Sequence, residues 1–486
     1  MTPIRPALAL ATALLAPAAL FLGVSGAAAQ TLSEAMAQSY SSNPALLAAR
    51  ANLRSVDENV PQALAGWRPS VSVSVSGGPV DSRVRGLQTF ADPNGVPTLE
   101  NGFNPRHQVG TTTHIERQLF SSQLTITQPV FRGGRTVATT RRAENQVLGQ
   151  RARLLSQEQQ VMSDTVNAFV NVILYQELVR LRVNNEQVLT EQLRATNERF
   201  RVGEITRTDV AQAESRLANA RALRSQAEGQ LQISRATYLR VVGVPPARLV
   251  APQPLRPPVA NAQEASLAAA TNNPAVVAAL FDEAAARDAI AVQMSNLMPQ
   301  VSVQGQAFRS DNQTAPHTRI TGGQVVAQLT VPIYQGGAEY SQVRQARQSA
   351  QQARQLVDDQ RRNVSQSATQ AWEQLQSSKA QVDAQRAAIR ASEIALDGVQ
   401  REAIVGSRTT LEVLNQEQEL LQNRTDLVQA LATVVSQSYT LAGAIGRLTA
   451  QDLGLDVDPY DMRAYYNAVR NRWFGLGDYS DVAEKR

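Results

Sequence analysis

Two periodicities divide the chain. In "PSVSVSVSGG", Pro69 to Gly78, Val and Ser alternate and no charge occurs. Period two sends successive side chains to opposite faces, so the run predicts a strand with one apolar and one polar face. Comparable runs give four predicted strands, at roughly 69–78, 118–131, 299–308 and 321–334. In the first, Val71, Val73 and Val75 lie opposite Ser70, Ser72, Ser74 and Ser76. In the fourth, Val325, Ala327, Leu329, Val331 and Ile333 oppose Val326, Gln328 and Thr330. The polar faces are Ser, Thr and Gln, and Phe120, Phe131, Phe308 and Tyr334 sit near strand ends.

Most of the remaining chain has helical spacing. From Gly134 to Val202 there is no proline, and Gly149 is the only internal glycine. That predicts a helix of about 100 Å at 1.5 Å per residue. Val147, Leu154, Val161 and Ala168 recur every seven residues, and Val172, Val179, Leu193 and Phe200 continue with Glu186 as the polar break. Leu148, Leu155, Met162 and Phe169 form a second row about 100° away, which asks for neighbours on two sides. A return helix follows with Val210, Ala213, Leu217, Ala220, Ala227, Leu231, Tyr238 and Val241 at 3–4 spacing. Helices of this length exceed a compact core and predict an extended rod.

The chain is two copies of one unit. "SNPALLAARANLRSVDENVPQALAGWRPSVSVS" at 42–74 matches "NNPAVVAALFDEAAARDAIAVQMSNLMPQVSVQ" at 272–304, so Asn43-Pro44 pairs with Asn273-Pro274. "LTITQPVFRGG" at 124–134 matches "AQLTVPIYQGG" at 327–337, and that second offset holds without a gap through Gly203 and Gly406 to Gly243 and Gly446. Ala350, Val357, Val364 and Ala371, then Leu375, Val382, Ile389, Leu396 and Ala403, repeat the heptads. The division predicted is a first repeat at 30–243, a proline-rich linker at 244–260, a second repeat at 261–450 and an unmatched tail at 451–486. The first copy has the longer strand connection, 79–117, expected outside the cell.

Composition narrows the setting. Residues 1–29 read as a secretory signal peptide: Arg5, an apolar stretch, then Ala27-Ala28-Ala29. No later segment has the roughly 18 consecutive apolar residues of a membrane-spanning helix. The 486 residues include no Cys, which excludes disulfides, thiolate metal sites and a lipidated N-terminal Cys. The net charge of +5 suggests nucleic acid or anionic lipid, but acids and arginines interleave along the helices as on solvated, salt-bridged faces, so neither is read from charge, and the leader directs export, so no nucleic-acid partner is expected. His107, His114 and His317 fall in predicted connecting loops with no triad or ligand cluster, so neither an enzyme nor a cofactor is expected.

Charge-free strands of about ten residues suit a tilted membrane crossing. Four strands cannot close a barrel, and open edges are not tolerated in lipid. Strands in a membrane therefore require several chains to share one barrel; the alternative is a small soluble sheet.

With "PVFRGG", "PIYQGG", "RVGEITRTDVAQAE" and "IVGSRTTLEVLNQEQEL" in hand, the chain resembles the TolC-type outer-membrane channel-tunnel family across about residues 31–450. The resemblance implies a mainly α fold with a small β part: a homotrimer with a 12-stranded outer-membrane barrel on a long periplasmic α-helical barrel. It implies outer-membrane lipid as surroundings, with a periplasmic adaptor (membrane fusion protein) and an inner-membrane ABC or proton-driven transporter as partners. Gly133, Gly134, Gly336 and Gly337 match its strand-to-helix junctions. Gly203, Thr206, Gly406 and Thr409 match its tip turns, where the adaptor docks. Its periplasmic latch falls on Arg408, with Thr208 and Asp209 as partners, and its entrance ring on Glu412. The second ring acid is Asn415 here. Spacing alone reads Thr206–Asp209 and Thr409–Glu412 as capping boxes. The function implied is a passive exit duct. The missing anchor Cys and "VGSRTTLEVLN" lean toward type I protein secretion; multidrug efflux is the alternative, and a soluble periplasmic coiled-coil adaptor or scaffold is the rival of another class.

Overall fold

The computed structural model describes residues 29–89, 108–477 and 479. All of the predicted leader but Ala29 lies outside the described residues. The first copy contains α1 (Leu32–Ser42), α2 (Pro44–Asp57), α3 (Asn59–Leu64), β1 (Ser70–Thr89), β2 (Gln108–Arg132), α4 (Arg135–Arg201) and α5 (Arg207–Val242). The second contains α6 (Ala262–Asn272), α7 (Pro274–Met294), β3 (Gln300–Asp311), β4 (Arg319–Thr330), α8 (Ala338–Ile404) and α9 (Thr410–Ala444), and α10 (Ala464–Val469) lies in the tail. Helices α4 and α8 have 67 residues each, about 100 Å of rod. No helix among the described residues is long and apolar enough to cross a membrane.

The strands form one antiparallel sheet in the order β1-β2-β3-β4, with β1 and β4 as unpaired edges. Register sorts the side chains. Val71 pairs with Ile126 and Val73 with Leu124, and these continue to Gly305 and Ala307, then to Val325 and Gly323. The other face carries Ser72, Ser74, Thr125, Gln123, Gln304, Gln306 and Gln324. Its side chains bond one another, Gln324 to Gln306 at 2.7 Å and Ser76 to Ser121 at 2.7 Å. The apolar face has nothing against it: Val73 is 68% exposed and Val325 78%.

The strand limits differ from the expected ones. The first two strands run on to Thr89 and from Gln108, so much of the expected 79–117 connection is paired backbone; 90–107 lie outside the described residues. Asp81, Arg83, Arg85, Glu116 and Arg117 stand on a two-stranded ribbon that outreaches β3 and β4. His114 accordingly lies on β2, not in a loop, 3.2 Å from Asp81 and 3.1 Å from Glu116; His317 is in the β3–β4 turn, and His107 is outside the described residues. The fourth strand ends at Thr330, before Pro332, which has no N–H for a ladder. At Pro129 the register of β2 shifts.

The heptad seam forms the core. Val147, Leu154, Val161 and Ala168 on α4, and Ala350, Val357, Val364 and Ala371 on α8, are all buried. In the second row Met162 and Phe169 are fully buried, whereas Leu148 is exposed and Leu155 half-buried. Toward the far end the seam thins: Val179 and Leu193 are half-buried and Phe200 is exposed, because only α5 and α9 remain beside α4. Glu186, the polar break, receives Arg224 at 2.8 Å and Arg221 at 3.2 Å from α5. Those hydrogen bonds, Arg224 foremost, hold its carboxyl below the usual Glu range.

The repeated Asn-Pro pair performs the same double task twice. Asn43 Oδ1 accepts from Ala45 N at 2.9 Å to cap α2, while its Nδ2 donates to Val241 O at 2.9 Å. Asn273 caps α7 through Ala275 N at 2.9 Å and donates to Ala444 O at 3.0 Å. Each Asn thus starts one helix and satisfies a C-terminal carbonyl of its own repeat's return helix.

The unmatched tail is a strap over the first repeat. Ala450 N donates to buried Glu158 at 2.7 Å, Tyr460 N to the Tyr40 hydroxyl at 3.0 Å, and Tyr465 to Glu58 at 2.9 Å. Arg50 stacks between Tyr40 and Tyr460, 4.6 and 5.1 Å from the ring centres. Asp57, 1% exposed beneath the strap, has an Oδ1 without a hydrogen-bond partner. Burial pushes its pKa up to about 7, against the pull of Arg151 and with help from Glu58; Tyr460 and Tyr466 face it from the strap. A folded-state value above the unfolded 3.8 makes the neutral form the stable one. Thermal stability should therefore fall as pH rises from about 4 through about 7, and Asp57→Asn should flatten that slope. Parallel slopes for the two proteins would show that Asp57 does not titrate in this range.

Candidate functional site at the helical tip

The end of the rod opposite the sheet carries two turns built alike. Gly203 and Gly406 both adopt φ of +78°, left-handed geometry that ends the long helices. Glu204 N donates back to Arg199 O at 3.0 Å, and Ser407 N to Glu402 O at 3.0 Å. Three residues past each glycine a Thr restarts the chain as helix. Thr206 N and Oγ1 donate to Asp209 at 2.9 and 2.8 Å, and Thr409 Oγ1 donates to Glu412 at 3.0 Å. Both are capping boxes, and both acids sit in the positive field of a helix start.

The turns differ in their ion pairs. In the second, Arg408 Nε donates to Glu402 at 2.8 Å and Nη1 to Glu412 at 2.6 Å, so one guanidinium joins the end of α8 to the start of α9. Thr208 and Asp209, the expected partners of Arg408, are not bonded to it within the chain; Asp209 is held by Thr206 instead. In the first turn Arg199 pairs with Glu204, inside a single helix end. Glu412 is held below the usual Glu range by Arg408 first and Thr409 next, and Asp209 below the Asp range by Thr206. Arg408 is about half exposed.

One contact was invisible in the sequence. Arg216 of α5 donates to Asn415 at 2.9 Å and also bonds Gln418, tying the two helical hairpins together above the tip. Asn415, expected as the gap in an acidic ring, is a hydrogen-bond acceptor here. The only clue was Arg216 beside Ala213, Leu217 and Ala220 on the packed face of α5.

At the other end, four glycines turn strand into helix. Gly134 and Gly337 cap α4 and α8 at φ of +80° and +83°. At Gly133 (φ +60°) an added Cβ would lie 2.5 Å from Met298 Cβ and 2.8 Å from Ser295 O, whereas Gly336 (φ +75°) has open space. Gly133→Ala should destabilise by about 2 kcal/mol and Gly336→Ala by about 1 kcal/mol, since both take the left-handed penalty but only the first also clashes. Urea denaturation compares them; equal losses would mean that Met298 moves aside freely.

A two-faced sheet thus stands at one end of a long rod, and a turn bridged by Arg408 at the other. The chain belongs to the outer membrane efflux protein family, whose matches at residues 35–244 and 266–447 each take in one repeat. It is 34% identical over 453 residues, 93% of this chain and 92% of the relative, to the outer membrane efflux protein BepC of Brucella suis biovar 1. It is 24% identical to the outer membrane protein TolC of Escherichia coli, covering 73% of this chain and 74% of TolC. Identity to the alkaline protease secretion protein AprF of Pseudomonas aeruginosa is 23%, covering 69% and 71%. Among solved structures, CusC matches with a TM-score of 0.70 at 15% identity over 85% of this chain and 91% of that one. The protein is thus an outer-membrane protein with the channel-tunnel fold.

Proposed function

We propose that three copies of the chain close one 12-stranded barrel in the outer membrane and continue it as an α-helical tunnel through the periplasm. The observation that carries this is the open sheet: β1 and β4 present unpaired backbone, and the outward face is bare Val, Leu, Ile, Ala and Gly. Such edges are too costly in lipid to stay open, so β4 pairs with β1 of the next chain. The helices support the same closure. Helix α4 buries two rows of side chains among α5, α7, α1 and α2, whereas α8, packed by α6, α7 and α9, buries mainly its single seam and leaves Leu356 exposed. A neighbouring chain would cover that open flank.

Because the chain has no Cys, one cysteine placed in β1 and one in β4 test the closure cleanly. Two strands separate these edges within a chain, about 14 Å, too far for a disulfide. Oxidation in membranes should give covalent trimers; uncrosslinked monomer under the same conditions would defeat the proposal.

The duct is passive, with an inner-membrane transporter supplying the work and a periplasmic adaptor docking on the tip turns at Gly203, Thr206, Gly406 and Thr409. Type I protein secretion is the proposed cargo class, supported by the likeness to a protease-secretion protein. Small-molecule efflux is favoured by the higher identity to a protein named for efflux. A deletion strain decides: loss of an exported polypeptide with unchanged drug susceptibility supports secretion, and the converse supports efflux.

A further inference from the structure

We propose that the C-terminal strap ends in a membrane anchor, an Arg-aromatic segment at 470–477 that rests on the periplasmic leaflet of the outer membrane against anionic lipid headgroups. The proposal rests on the barrel reading, because it takes the bases of the strands as the membrane boundary.

The strap is fixed at the level where the sheet begins. Arg68 stands two residues before β1; its Nη1 donates to Arg472 O and its guanidinium lies 5.1 Å from the Trp473 ring centre. The carbonyl of neighbouring Trp67 accepts from Gln128 of β2 at 3.0 Å. Trp473 is therefore held beside Arg68, two residues before the sheet begins. The residues that follow are exposed: Trp473 is 64% exposed and Phe474 91%, and Leu476 is bare between Gly475 and Gly477.

Exposed Trp and Phe next to arginines are what an interface rewards, since the rings take the acyl boundary and the cations take phosphates. The charges are available. Arg470 is matched by Glu144 at 3.0 Å, but Arg68 and Arg472 have no carboxylate partner among the described residues; Arg68 holds Arg472 O and the Trp473 ring, and Arg472 stacks on Tyr479. Glu58, an acid of the same region, is engaged by Tyr465. A cationic, aromatic patch continuous with a lipid-facing sheet matches a headgroup layer better than it matches the Ser- and Gln-rich faces of the same chain.

The three tryptophans, Trp67, Trp372 and Trp473, make the test direct. A Trp67→Phe/Trp372→Phe protein keeps Trp473 as its only tryptophan. It is reconstituted at full length into vesicles of phosphatidylethanolamine and phosphatidylglycerol, with plain or chain-brominated lipid. Bromine should cut Trp473 emission about twofold, as for an interfacial ring. Replacing phosphatidylglycerol by phosphatidylcholine should reduce that quenching. Emission quenched only by aqueous acrylamide would place Trp473 in water, and emission quenched by neither would place it against a neighbouring chain; both overturn the anchor. A companion protein with Val73→Trp and Phe at 67, 372 and 473 reports the strand itself. Quenching there without quenching at Trp473 overturns the anchor alone, and quenching at neither overturns the barrel reading with it.

Discussion

Val73→Arg should cripple assembly in the membrane, and Ser74→Arg should leave it nearly intact. The two residues are adjacent on β1, so backbone and position along the strand are matched. Their surroundings are opposite. Val73 shares its face with Leu124, Ala307 and Gly323, which offer neither a proton acceptor nor water once lipid covers them. Ser74 shares its face with Gln123, Phe308 and Gly322, beside the Ser, Thr and Gln ladder that lines the duct. A guanidinium on the lipid side should cost about 2–4 kcal/mol near the bilayer midplane and far less on the wet side. Three chains in one barrel would each bear that cost. The readout is the fraction of heat-stable oligomer recovered from outer membranes. Equal losses for both variants would mean that the sheet does not have a lipid face.

Arg408→Ser should raise single-channel conductance severalfold, because it unpins the tip. The guanidinium bonds both Glu402 and Glu412, and its removal leaves two carboxylates facing each other across the turn. The helix start survives, since Thr409 still caps it. Glu412→Ala removes one arm of the bridge and the cap together, so it should open the tip less cleanly and weaken block by multivalent cations. Acid offers an independent check. The Glu412 carboxyl is held below the usual Glu range, so the bridge is intact above that range and is lost as pH falls through the depressed value. Wild-type conductance should thus rise toward that of Arg408→Ser only on strong acidification. Unchanged conductance in a correctly assembled Arg408→Ser protein would remove the pin while leaving the duct.

Much of this was legible in the chain because the signals were periodic. Seven-residue spacing placed Val147 through Ala168 and their counterparts in the core, and alternation gave the two faces of the sheet. Local chemistry gave the turns: a glycine, then Thr with an acid three residues on. Features that depend on distant segments meeting were not legible. Arg216 finds Asn415 and Gln418 only because two hairpins lie side by side, and neither helix carries a mark of the other. Glu402 could not be distinguished from any other acid near a helix end until the turn brought it to Arg408. The strand limits failed for a different reason: charges at 81–85 and 116–117 mean solvent, and solvent reaches a projecting ribbon as well as a loop. The strap had no repeat to match it against, and its contacts with Tyr40, Glu58 and Glu158 lie some three to four hundred residues away.

The two tip turns share a backbone but not a mechanics. Ile205 occupies in the first turn the place that Arg408 has in the second. Arg199 donates to Glu204 just past the end of α4 and reaches Asp209 of α5 only through its charge, whereas Arg408 donates directly to Glu402 of α8 and Glu412 of α9. The second hairpin would therefore act as a lever stapled at its turn, and the first, whose ion pairs between α4 and α5 sit farther back at Glu186, would be free to scissor about Gly203. In a ring of three such chains, stiff and pliant levers alternate, so the mouth would dilate as a three-leaved iris rather than a six-leaved one. The duplicated unit has in this way yielded two unlike turns from one backbone, through the exchange of Arg199 for Glu402, Glu204 for Ser407 and Ile205 for Arg408.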